Sequence, residues 1–232
     1  MKNIFLILIS FLLWSNFLKS QSIDQTFRPV IYANVVASQV DGDTYGGYSK
    51  PGFMVGLGIN RQLSKLIEVE FALTFIQKGA RHNYGLDSAS RNNPNNPFFL
   101  SRLNYLEIPL TLKINYKKFK AELGGAAAYL AKNPPFEDGQ NGTWSDPNYR
   151  KFDFSYIVGV GYKLKPNLLA NLRFEYSIIT IRPYQNPTTG VYHGQFPYSL
   201  FNQGLYNNLL QLGLHYRIPT KAEAEPKTPN VQ

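Results

Sequence analysis

The sequence predicts an all-β fold, an eight-stranded antiparallel up-and-down transmembrane β-barrel, on three observations. Apolar and polar residues alternate with period two in stretch after stretch, which puts them on opposite faces of a strand. The connections between those stretches alternate strictly between long and short. The last stretch, Asn207 to Ile218, alternates most cleanly: Leu210, Leu212, Leu214, Tyr216 and Ile218 share one face, and Gln211, Gly213, His215 and Arg217 share the other.

Taken in order, Met1 to about Ser22 has a basic start at Lys2, an apolar run from Ile4 to Leu13 and small residues at Ser20 and Ser22. That is the pattern of an export signal peptide over residues 1–22. The run is too short for a spanning helix, and no later stretch approaches the roughly 18 apolar residues one needs, so a membrane reading must be a barrel reading. The absence of cysteine excludes both a lipid-modified N-terminal cysteine and a disulfide framework. The barrel domain is expected over residues 23–218. Its first strand lies near Val30 to Ala37, with facing unassigned.

In the second strand Phe53, Val55, Leu57 and Ile59 oppose Met54, Gly56 and Gly58. Ile67, Val69, Phe71, Leu73 and Phe75 then oppose Glu68, Glu70, Ala72 and Thr74. In the fourth, Leu106, Ile108, Leu110, Leu112, Ile114 and Tyr116 oppose Tyr105, Glu107, Pro109, Thr111, Lys113 and Asn115. Proline inside a strand deletes a ladder donor, so a bulge is expected at Pro109. The fifth is blurred by small residues and sets Phe119, Ala121, Leu123 and Tyr129 against Lys120, Glu122, Gly124 and Ala126. The sixth opposes Phe152, Phe154, Tyr156, Val158, Val160 and Tyr162 to Asp153, Ser155, Gly159, Gly161 and Lys163. The seventh opposes Leu172, Phe174, Tyr176 and Ile178 to Asn171, Arg173, Glu175 and Ser177. Pro219 to Gln232 is polar and proline-punctuated, which predicts a disordered periplasmic tail over residues 219–232.

The short connections are Asn60 to Leu66, Tyr116 to Lys118 and Leu164 to Leu168; the long ones are Ser38 to Gly52, Gly79 to Arg102, Ala131 to Arg150 and Pro183 to Tyr206. Outer-membrane barrels place short turns in the periplasm and long loops outside, and an even strand number then leaves both termini periplasmic. A soluble barrel would alternate too, with its apolar face inside. Aromatic residues at the ends of the apolar faces (Phe53, Phe75, Tyr116, Phe119, Tyr129, Phe152, Tyr162, Tyr176, Tyr216) favour interfacial girdles and a membrane. Gln211, Gly213, Tyr216 and Ile218 also resemble the terminal-strand signal read by outer-membrane barrel assembly machinery.

Further residues resemble the PorT-family outer-membrane β-barrel domain common in Bacteroidetes. They are Val40-Asp41-Gly42-Asp43, Gly47-Tyr48-Ser49-Lys50-Pro51-Gly52-Phe53, Gln77-Lys78-Gly79, Leu103-Asn104-Tyr105-Leu106-Glu107-Ile108-Pro109-Leu110 and Gly159-Val160-Gly161-Tyr162-Lys163. The resemblance spans nearly the whole mature chain, and its most specific part is Tyr105 to Leu110. It implies a small barrel of about eight strands, usually without an assigned activity. The family takes its name from a component of type IX secretion and gliding machinery.

Inward faces carry Glu68, Glu70, Glu107, Glu122, Asp153 and Glu175 against Lys113, Lys120, Arg173 and Arg217, with Lys163 beside them. In so narrow a lumen these predict an ion-pair network that fills the interior, or alternatively an ion or proton path through the carboxylates. Tyr184, Tyr192, Phe196, Tyr198, Phe201 and Tyr206 of the last long connection are external-loop binding candidates for a protein or glycan; the alternative is that they cap the barrel mouth. Asp87-Ser88-Ala89 resembles a short O-glycosylation pattern of Bacteroidetes, making Ser88 the acceptor. Asp41-Gly42-Asp43 lacks the further ligands of a calcium loop and reads as a turn.

No catalytic motif, metal set or cofactor site is expected. Ser155, Ser177, Glu175 and His215 come from scattered strands, so a lipid-modifying enzyme is the weakest reading. The net charge of +9 raises nucleic acid as a partner, but export argues against it. Expected partners are outer-membrane lipids and lipopolysaccharide, the assembly machinery, and a protein or glycan outside. The functional expectation is a structural or surface-binding barrel, with type IX secretion or small-solute transport as the alternative.

Overall fold

The computed structural model describes residues 27–42, 47–82, 99–131, 135–138, 142–145, 149–183 and 204–219. The signal peptide, Ser88, His193 and the tail after Pro219 lie outside these residues, as do Tyr184, Tyr192, Phe196, Tyr198 and Phe201.

Eight long strands close on themselves: β1 (Arg28–Asp41), β2 (Lys50–Gln62), β3 (Ile67–His82), β4 (Phe99–Tyr116), β5 (Phe119–Leu130), β8 (Phe152–Lys165), β9 (Leu168–Ser177) and β11 (Gly204–Arg217). Each pairs antiparallel with its neighbour in that order, and β11 pairs back onto β1 with Leu212 opposite Val35. Three short pieces ride on the long-connection end. A hairpin of β6 (Pro135–Asp138) and β7 (Gly142–Ser145) pairs with Phe99–Ser101 of β4, and β10 (Arg182–Pro183) pairs with the start of β11.

Several strands outrun the expected limits because their alternation continues where outward polar residues blur it. In β3, Glu68, Glu70, Ala72 and Thr74 are followed inward by Ile76, Lys78 and Ala80. The segment from Gly79 is therefore strand rather than loop, and His82, expected in a loop, ends β3. Tyr206, also expected in a loop, belongs to β11, is buried, and stacks on Tyr176 with ring centres 6.1 Å apart. The facing of β1 is now defined: Val30, Tyr32, Asn34, Val36, Ser38 and Val40 point in, and Ile31 and Val35 point out. Valines on both faces had hidden it.

Orientation is unambiguous. Leu57, Val35 and Leu123 are 66%, 65% and 62% exposed, and the other bulky apolar residues of the alternating faces lie out with them. The charged residues of the opposite faces are buried, apart from Lys120, Lys163 and Arg217 near the short turns, which are half-buried. A continuous apolar belt outside and ionised groups inside is a barrel built for lipid, the reverse of a soluble one. From Leu106 to Tyr116 the outward face runs about 33 Å along β4, or about 25 Å when tilted about 40°, the height of a membrane band. Aromatic pairs stand at both borders: Phe119 and Tyr162 (5.2 Å) beside the short turns, and Phe53 and Phe75 (5.7 Å) with Tyr129 and Phe152 (5.4 Å) near the long connections.

Pro109 is not a bulge. Residues 71 and 110 pair, as do 74 and 107, so the β3–β4 register passes Pro109 unchanged while the two rungs between drop out. The missing N–H costs ladder bonds on that side, and the opposite ladder, with Pro109 across from Ala126, is continuous. The register shift falls instead between Lys163 and Lys165 of β8.

Inward glycines make room for side chains from the next strand. A Cβ at Gly58 would stand 2.8 Å from the Tyr32 hydroxyl, and one at Gly213 would stand 2.0 Å from Asn34 Oδ1 and 2.5 Å from the Ala33 carbonyl. Gly213→Ala is therefore expected to displace Asn34 from its hydrogen bond to Gln211 and to lower stability by about 1–3 kcal/mol in urea titrations from lipid vesicles. Unchanged stability would mean that Asn34 has room to turn aside.

Candidate functional site in the barrel lumen

Four layers stack in the interior, counted upward from the short-turn end. In the first, Glu68 accepts from Lys120 at 2.5 Å, from Asn115 at 2.8 Å and from Asn60 at 3.1 Å, and Glu70 pairs with Lys113. The i, i+2 spacing of the two glutamates keeps both on the inward face. Cross-strand register then brings the partners: Lys113 stands opposite both Glu68 and Glu122, and Glu70 stands opposite Thr111.

In the second layer Arg173 of β9 reaches Glu122 of β5 at 2.5 Å, and Asn171 donates to the same carboxylate at 2.9 Å. β8 lies between them and presents Gly159 opposite both residues, so the pair spans the intervening strand over bare backbone. The Tyr32 ring packs edge-on against His215, with centres 4.7 Å apart.

The third layer is built on Lys78. Its ammonium lies 2.5 Å from Glu175, 2.7 Å from Glu107 and 3.6 Å from Asp153, with all four side chains 0–1% exposed. The Tyr105 ring lies beneath it at 5.2 Å. Ser155 (2.9 Å) and Gln211 (2.8 Å) donate to Glu175, and Asn207 donates to Asp153 at 2.9 Å. One cation thus faces three carboxylates: Glu175 and Asp153 also take neutral donors, whereas Glu107 meets the Lys78 ammonium alone, and Glu107 Oε1 and Asp153 Oδ1 are buried without a hydrogen-bond donor among the described residues.

The fourth layer, toward the long connections, is largely apolar: Val36, Val40, Met54, Ile76, Leu103, Leu130, Ile181 and Leu209 belong to one cluster, with Ser38, Lys50 and Ser101 buried at the same end. Of this cap the sequence places only Met54 on an inward face; the other seven residues lie where the alternation is unassigned or beyond the strand limits read from it. Beside it, outside the strands, Tyr48 donates its hydroxyl to Asn208 Oδ1 at 2.7 Å. Burial first, and the Asp41 carboxylate second, push that phenol above its ordinary range, so it remains a neutral donor.

The structure brings nine of the ten predicted lumen residues into these layers. The tenth, Arg217, sits at the end of β11 and donates to Pro166 O (3.3 Å) and Asn167 Oδ1 (3.2 Å) at the β8–β9 turn. Lys78 was missed. Its signal was available, because counting by twos from Glu68 reaches it, but Gly79 suggested a loop. The imagined hydrolytic set is not assembled. Leu209 pairs with Glu175, and His215 lies six residues further along β11, about 20 Å away at about 3.3 Å per residue. Among the described residues no cluster of His, Cys, Asp and Glu could hold a metal ion.

Comparison with solved structures finds small membrane barrels. Neisserial surface protein A matches at 12% identity and a TM-score of 0.49, covering 82% of this chain and 97% of that one. Ail of Yersinia pestis, solved in complex with the heparin analogue sucrose octasulfate, matches at 13% identity and a TM-score of 0.45, covering 83% and 99%. OprG from Pseudomonas aeruginosa matches at 12% identity and a TM-score of 0.36, covering 84% and 98%. No curated protein sequence matches. The family model described as outer membrane protein beta-barrel domain matches residues 20–182, which takes in the first seven barrel strands and their lumen layers. With that match over most of its length, the chain belongs to the outer membrane protein beta-barrel domain family.

Proposed function

We propose that this protein is a non-enzymatic outer-membrane barrel with a closed lumen, whose long connections form a contact surface for a protein or glycan outside the cell. Both termini and the short turns face the periplasm in this reading, following the length asymmetry of the connections. The observation that carries it is the Lys78 layer under its largely apolar cap: among the described residues one buried ammonium holds three buried carboxylates across the lumen, and a cluster of buried apolar side chains lies above them. In a planar lipid bilayer the protein is expected to show no steady conductance above leak. A steady conductance that vanishes in Glu107→Gln would overturn the closed lumen and favour small-solute transport. An epitope inserted after Thr188 should be labelled on intact cells and one after Pro219 only after permeabilisation; the opposite result would reverse the sidedness.

The aromatic residues Tyr184, Tyr192, Phe196, Tyr198 and Phe201 are the contact candidates, because rigid rings among Asn, Gln and Gly give contact area at low entropic cost. A second reading rests on the PorT-type resemblance. Its most specific segment, Tyr105 to Leu110, supplies Tyr105 and Glu107 to the Lys78 layer, and its Gln77-Lys78-Gly79 segment supplies Lys78 itself. If the resemblance extends to role, deletion of the gene abolishes export of type IX cargo; unchanged export leaves the surface-binding reading alone.

A further inference from the structure

The charged layers do not fill the short-turn end. A cavity of about 280 Å³ opens there, lined by Glu68, Glu70 and six cationic side chains, which leaves four positive charges in excess. Lys113 and Lys120 are spent on the two glutamates. The side-chain ammonium groups of Lys65, Lys163 and Lys165 have no hydrogen bond or ion pair with any described residue, although they border one small space.

A second, independent feature points to a ligand. His215 is 3% exposed and lines the same cavity, and neither of its ring nitrogens has a hydrogen-bond partner among the described residues. A buried imidazole left without partners is costly, and a ligand oxygen in the cavity would satisfy it. Asn60 Oδ1 and Asn115 Oδ1 are likewise buried acceptors without a donor. The cavity thus offers ammonium groups, one imidazole and acceptors able to receive a ligand hydroxyl.

The volume is below the about 300–1,000 Å³ of sites for drug-sized ligands, so the occupant is small. The donor set selects its class. Arg217 is already engaged with Pro166 and Asn167, so the site relies on lysines, which act as point charges rather than as a planar fork for a carboxylate. A compact, multiply charged oxyanion with its own hydroxyl suits that arrangement.

We infer that the short-turn end of the barrel is a binding site for a phosphate group, held by Lys65, Lys163, Lys165 and His215. With the sidedness proposed above, the group arrives either as a dissolved phosphate in the periplasm or as the headgroup of an inner-leaflet phospholipid. Loop chemistry on the other side of the membrane plays no part, so this site and the external contact surface stand or fall separately.

The test uses the full mature chain folded in octyl glucoside, which carries no phosphate. It is titrated calorimetrically with inorganic phosphate and, separately, with a short-chain phosphatidylglycerol below its critical micelle concentration. Saturable one-to-one binding of inorganic phosphate, weakened about tenfold or more in both Lys163→Gln/Lys165→Gln and His215→Phe, is expected for a soluble ligand. The same pattern with phosphatidylglycerol alone supports the headgroup as the source. His215→Phe keeps the ring against Tyr32, and the two lysines stand beside a turn, so retained resistance to unfolding by SDS checks that each variant is folded. Absence of saturable binding for both probes, or either folded variant binding as tightly as the parent, overturns the site.

Discussion

Lys78→Met is expected to lower the stability of the folded barrel by about 3–5 kcal/mol, the cost of leaving a buried charge without its partner. Methionine fills nearly the same volume, so the loss reports charge rather than packing. Glu107, Asp153 and Glu175 would then face one another with no cation among them. The control is built into the site: Lys78→Met combined with Glu107→Gln and Glu175→Gln removes the surplus carboxylates while keeping their shape, and should recover more than half of the loss. Urea titration from phosphatidylcholine vesicles, followed by circular dichroism, measures both. A single variant within about 1 kcal/mol of the parent would show that water or a counter-ion reaches this layer, and with it the closed lumen would fail.

The same layer shows what was legible in the sequence. Strand number, strand pairing and the outward face could be read because lipid imposes one rule on every outward residue, so Leu106 through Tyr116 announce themselves by twos. The inward face obeys a local rule, in which each position is solved against its neighbours across the lumen. Glu122 and Arg173 are recognisable as charges, but their meeting depends on Gly159 lying between them, which only register reveals. Val36, Val40 and Leu209 look like outward residues on composition and belong to the inner cap. Tyr206 looked like part of a binding loop, but it continues β11 with its ring on Tyr176. Lys78 was hidden by Gly79, whose φ of +131° suggests a turn yet occurs inside β3, where its carbonyl accepts from Ser38 at 2.9 Å. Period two finds a barrel's surface; its contents require the pairing.

Outward substitutions give the second large effect and separate a membrane barrel from a soluble one. Leu110 lies midway along the apolar face of β4 and is 54% exposed, while Leu66 lies at the β2–β3 turn and is 60% exposed. To a protein surrounded by water both positions are open surface, and arginine at either would change stability by no more than about 0.5 kcal/mol. In a bilayer they differ. At the midplane an arginine costs about 2–4 kcal/mol, and near the interface about 0–1 kcal/mol, because only there can its guanidinium reach water and headgroups. Leu110→Arg is therefore expected to be strongly destabilised in lipid vesicles and Leu66→Arg nearly neutral. Their difference reads depth, since the side chain replaced and its exposure are matched. Equal effects for the two variants would mean that the apolar belt does not lie in lipid, and the outward leucines would need a different partner.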